Sequence, residues 1–111
     1  MRKNRPRFFD NEPESDAFLS IAKRVQDQAN FFWDSYQLPM QPAAVKGVAY
    51  TVKRKLNISL LELLYYLNQL EYINLQVSPS GKHYIFPYLR TLKKDKLEIL
   101  TIIQQLERSK K

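Results

Sequence analysis

Cysteine is absent from this chain, so it holds neither a disulfide framework nor a thiolate ligand or nucleophile. Histidine occurs once, as His83, and the multi-histidine zinc sets cannot be assembled from a single copy. Glycine is nearly as scarce, with Gly47 and Gly81 the only two. Neither a phosphate-cradling loop, which needs two glycines within one short segment, nor a dinucleotide fingerprint can be written with them, which excludes nucleotide hydrolysis and Rossmann redox chemistry. Long apolar runs are missing too. The densest, Ile58 to Leu67, is interrupted by Glu62 and falls far short of the roughly 20 residues that span a bilayer. The basic start Met1-Arg2-Lys3-Asn4-Arg5-Pro6-Arg7 is followed by acids where an export signal would carry its apolar stretch. Together these features predict a soluble, cytoplasmic protein with no membrane partner.

What is present is basic and rich in aromatics. The 111 residues carry 18 Lys and Arg against 11 Asp and Glu, a formal charge of +7, with 44% hydrophobic and 13% aromatic residues. A chain of this length forms one domain and buries roughly two-thirds of the surface it exposes when unfolded, so disorder throughout is excluded. Positive charge of this size suits polyanions or acidic partners.

Residues 1–14 read as an arm, basic through Arg2, Lys3, Arg5 and Arg7 and acidic from Asp10 to Glu14, ahead of a single domain over 15–111. The acids lack the glycine and terminal glutamate of a calcium loop and read instead as carboxylates near a helix N-terminus, where the macrodipole favours them. Phe18, Ile21, Ala22, Val25, Ala29, Phe32, Trp33 and Tyr36 recur with helical period and predict a long amphipathic first helix. Leu38-Pro39-Met40-Gln41-Pro42 breaks it, and Pro42 suits the first turn of a second helix over about residues 42–56. Val45, Val48, Ala49, Val52 and Leu56 form its buried stripe, Lys46 lies toward its polar side, and Lys53-Arg54-Lys55 stand at its favourable C-terminal end. Ser59-Leu60-Leu61-Glu62 is a capping box, with Ile58 and Leu63 placed as its hydrophobic staple, and starts a third helix at Leu60.

Ile73, Leu75 and Val77 alternate with Asn74, Gln76 and Ser78, the period of a half-buried strand. Ser78-Pro79-Ser80-Gly81 suits a type I turn with glycine at the left-handed position of a bulged hairpin, and residues 82–86 return as a second strand stopped by Pro87. A last helix is predicted over about residues 91–108. Its apolar positions include Ile99, Ile102, Ile103 and Leu106, and Leu92, Ile99 and Leu106 stand seven apart. The chain is thus mainly α, of α+β class, with one β-hairpin and additional helices at both ends.

This order resembles the winged helix-turn-helix superfamily of transcription regulators. Residues 45–56 correspond to its support helix, 57–58 to the turn, 59–72 to the recognition helix and 73–86 to the wing; Leu67-Asn68-Gln69-Leu70-Glu71 looks like the family's passage from helix to wing. The resemblance implies double-stranded DNA as partner, in gene regulation or in plasmid or phage maintenance. The third helix would lie in the major groove, with Ser59, Asn68 and Gln69 turned to base edges. Lys46, Lys53, Arg54, Lys55, Lys82 and His83 would meet the backbone, and Arg2, Lys3, Arg5 and Arg7 the minor groove. The third helix departs from the family pattern in carrying no basic residue. A second reading is therefore a protein-interaction module docking through Leu61, Tyr65, Tyr66 and Tyr72, since aromatic surfaces mark interfaces. Homodimerisation is expected through the apolar stripes of the first and last helices, with Ile99, Ile102, Ile103 and Leu106 at the contact. No nucleophile–base pair is apparent and no cofactor is expected, so the chain is not read as an enzyme.

Overall fold

The computed structural model describes residues 16–109. Helix α1 (Asp16–Tyr36) is followed by a 3-10 turn (Pro42–Val45), α2 (Lys46–Leu56), α3 (Leu60–Gln69), strands β1 (Ile73–Val77) and β2 (His83–Pro87), the single turn α4 (Leu89–Leu92) and α5 (Lys96–Ser109). The protein is mainly helical with one antiparallel hairpin. Among the described residues no helix is long and apolar enough to cross a membrane.

Local chemistry accounts for most boundaries. The Ser59 hydroxyl accepts the Glu62 N–H at 3.1 Å while the Glu62 carboxylate accepts the Ser59 N–H at 2.9 Å, so the expected capping box starts α3. The expected turn also forms. Gly81 N–H bonds to the Ser78 carbonyl, and Gly81 takes φ +91°, which glycine adopts without steric cost. Elsewhere helices end on side-chain-bearing residues in the left-handed region: Gln37, Asn57, Glu71 and Lys93 all have φ between 56° and 68°.

Several expected boundaries are corrected. The second helix opens as a 3-10 turn before becoming α-helical at Lys46. The third stops at Gln69, with Leu70 to Tyr72 turning into β1. Pro87 ends β2 from inside the strand, as its last residue. The last helix is broken at residues 93–95, where Asp95 and Glu98 exchange hydrogen bonds of 2.8 and 3.0 Å in a second capping box. Leu92 consequently lies on α4, and the seven-residue series it shares with Ile99 and Leu106 does not run along one helix.

The main core joins α1, α2 and α3 through Phe18, Ile21, Val25, Val48, Val52, Leu63, Leu64 and Leu67, and meets the hairpin at Ile73, Leu75 and Ile85. β2 alternates, so Tyr84 and Phe86 point the other way, into a second cluster with Trp33, Leu92, Ile99 and Ile103. The hairpin is covered on both faces. That is why Asn74, opposite Phe86, is buried where an outward polar residue was expected. Val77 and His83, paired at the far end, lie beyond both cores, and Val77 is exposed. Tyr36, expected on the buried stripe of α1, is exposed with its ring edge-on to Phe32.

Candidate nucleic-acid interface

Between α1 and α2 the chain runs extended past the hairpin. Met40 exchanges both backbone hydrogen bonds with Ile85, at 3.1 and 2.7 Å, and adds a one-residue third rung to the hairpin's β2 edge. Prolines on both sides of Met40–Gln41 disfavour helix there and were the available sequence signal for this rung. Because Ile85 turns its amide groups toward Met40, its partner Leu75 turns its own away from β2. The Leu75 N–H is taken by Asn68 Oδ1 of α3 at 2.9 Å. Asn68 is therefore corrected from a base reader to the residue whose oxygen ties β1 to α3.

A second tie joins α3 to the other strand, β2. Tyr65 OH and His83 Nε2 are hydrogen-bonded across 3.0 Å, with their rings perpendicular and 5.8 Å apart. Tyr65 remains 46% exposed and Leu61, one turn earlier, 39%. Gln69, one turn later, is exposed, so these three side chains form a continuous outer stripe on α3. Ser59 is exposed but its hydroxyl serves the cap.

Exposed cations lie on the elements before and after α3. Lys53, Arg54 and Lys55 are exposed on the last turn of α2, separated from α3 by Leu56 to Ser59. Arg54 lies over the Tyr50 ring at 5.6 Å from its centre. Lys46, at the other end of α2, is exposed as well. Lys82, exposed, precedes His83, which Tyr65 touches. The basic arm residues Arg2, Lys3, Arg5 and Arg7 lie outside the described residues.

The turn of the hairpin is held by α5, which was not legible in the sequence. Glu107 accepts from Ser80 at 2.6 Å and from Tyr84 at 2.7 Å. Ser78 and Ser80 share a hydrogen bond, and Ser78 also accepts the Lys82 N–H. Burial, followed by the hydrogen bond to Glu107 and that carboxylate's charge, pushes the Tyr84 phenol up to about 12. The hydrogen bond from Ser80, then that from Tyr84, hold Glu107 below its usual value against some desolvation, with smaller help from Ser78 and the Lys82 charge.

The expected protein-contact residues are largely reassigned. Tyr66 is 1% exposed, its ring tilted 5.4 Å from Phe18, and Tyr72 packs against the same core. Ile99 and Ile103 are inside the second cluster, with Ile102 and Leu106 packed on its edge, so the stripe expected to hold a twofold mate closes this chain's own domain. The apolar side chains left exposed on α5 are Leu97 and Leu100. Among the described residues no group of three or more His, Asp or Glu is arranged to hold a metal ion. Comparison with known protein families, curated proteins and solved structures finds no match to this chain.

Proposed function

We propose that this chain is a winged helix-turn-helix protein that binds duplex DNA, with α3 in the major groove and the β1–β2 turn against the neighbouring backbone. The observation that carries the reading is the outer face of α3. The elements before and after it in the chain carry exposed cations, Lys53, Arg54 and Lys55 at the end of α2 and Lys82 in the hairpin turn, and Tyr65 joins it directly to the hairpin through His83. The order of helices and hairpin supports it. Phosphate attraction supplies most non-specific affinity, and these cations are exposed and so accessible to it.

The test is a fluorescence-anisotropy titration of a random duplex across a salt series. Binding should weaken linearly in log–log terms. Replacing Lys53, Arg54 and Lys55 by Ala should lower the slope by about 0.9 for each phosphate that the variant no longer neutralises, equally across sequences. No detectable binding at low salt would refute the reading.

The exposed Leu61 and Tyr65 on a helix without cations favour, as a second reading, docking of another protein on this face. In that case duplex binding is absent and Tyr65→Ala abolishes capture of the partner, because aromatic anchors dominate interface energetics.

A further inference from the structure

We propose that α3 selects A·T-rich duplex by packing Leu61 and Tyr65 against the 5-methyl groups of thymine, with Gln69 directed to adenine. This inference rests on the duplex-binding reading above and says which sequences that surface prefers.

The side chains that α3 leaves free decide which bases it can meet. Its exposed residues include Leu61, Glu62, Tyr65 and Gln69. One oxygen of Glu62 is engaged by the Ser59 N–H in the cap, and the oxygen of Asn68 is engaged by Leu75. The helix carries no Lys or Arg, so the bidentate partner of guanine O6 and N7 is missing. In the major groove thymine alone among the four bases presents an apolar group, its C5-methyl, and adenine presents the N7 acceptor and N6 donor that a carboxamide matches. Leu61, Tyr65 and Gln69 stand at successive helical turns, so two apolar contacts and one carboxamide fall on one line. The Tyr65 ring is held in place before any ligand arrives, hydrogen-bonded to His83 and edge-on to its ring, which reduces the ordering cost of using it as a contact. The carboxylate of Glu62 disfavours close approach of phosphate at the first turn. The exposed cations Lys53, Arg54, Lys55 and Lys82 lie on α2 and the hairpin turn, not on α3, so phosphate attraction falls to those elements and the uncharged stripe is left for base edges.

The experiment uses the full chain and three sets of duplexes at one low salt concentration: A·T-rich, the same sequences with every thymine replaced by uracil, and G·C-rich with cytosine or 5-methylcytosine. Uracil keeps every hydrogen-bonding group and removes only the methyl. The expected result is tighter binding to the A·T-rich set, a loss of about fourfold for each contacted methyl on changing to uracil, and a gain on methylating cytosine. Leu61→Ala should reduce the thymine-to-uracil difference; Leu61 is exposed, and circular dichroism checks that the variant is folded. Equal binding to thymine and uracil duplexes overturns this inference while leaving duplex binding intact. An A·T preference that uracil does not disturb also overturns it, because the protein would then be reading duplex shape. No binding to any duplex refutes both this inference and the function it rests on.

Discussion

Asn68→Ala tests whether the carboxamide of α3 is a structural tie. In the protein, Asn68 Oδ1 accepts the Leu75 N–H at 2.9 Å, and Leu75 is buried on the main core. The strand cannot supply a replacement, because Ile85, the residue opposite, has turned both its amide groups to Met40. Alanine leaves a largely buried donor without a partner, which costs about 1–3 kcal/mol. For a domain of this size each kcal/mol shifts the midpoint by about 4–8 °C, so thermal unfolding should move down by roughly 5–20 °C. Scanning calorimetry measures the shift, and amide hydrogen exchange by NMR should show Leu75 losing protection. Asn68→Asp retains an acceptor and should lose less. Gln69→Ala, at the exposed neighbouring position, should stay within about 0.5 kcal/mol of the unchanged protein. An Asn68→Ala midpoint within about 2 °C of the parent, with altered preference between duplexes, would refute the structural role and return Asn68 to the bases.

Ile103→Ala should lose about 2–5 kcal/mol in urea unfolding without a change in solution mass, because Ile103 fills the cluster with Trp33, Tyr84 and Phe86; a change in mass with stability intact would place it at a subunit contact. Tyr84 is protonated more tightly in the folded protein than in the unfolded chain, so its contribution is complete below about pH 10 and is lost as pH rises toward about 12. Tyr84→Phe should remove that alkaline loss, read from unfolding midpoints across the range. Glu107 has the opposite sign: its contribution is present above its ordinary value of 4.5 and disappears as pH falls through its lower folded value, which a carboxyl NMR titration should register as a midpoint below 4.5. Lys93→Gly should stabilise by about 0.5–1 kcal/mol, since the left-handed conformation at φ 60° strains a side-chain-bearing residue more than glycine's extra chain entropy costs.

The extent of α1, the cap of α3 and the turn at Ser78 to Gly81 were legible because each depends on groups within a few residues of one another. The Asp95–Glu98 box was legible on the same grounds, since Asp-x-x-Glu has the required spacing, but the apolar series from Leu92 to Leu106 masked it. Of the candidate site, the outward Leu61 and Tyr65 could be read from helical period and the cations from the sequence directly. The burial of Tyr66 and the engagement of Asn68 could not, because period alone does not say how much of a helix neighbouring elements will cover.

The local order of helices and hairpin, the chain's positive charge and the absence of cations from α3 follow from the residues alone. What lies on the hairpin's second face is settled by packing between distant elements. There α4, α5 and Trp33 bury Tyr84 and Phe86, draw Asn74 inside and occupy Ile99 and Ile103, the residues expected at a twofold contact. Packing of the same kind also decides that Met40 pairs with Ile85 and that Glu107 holds Ser80, contacts between residues far apart in the chain. The physical reason is range. Caps and turns are settled by hydrogen bonds among near neighbours, whereas burial is settled by which distant apolar surfaces meet, and a pattern of periods states only that a surface is apolar, without naming what will cover it.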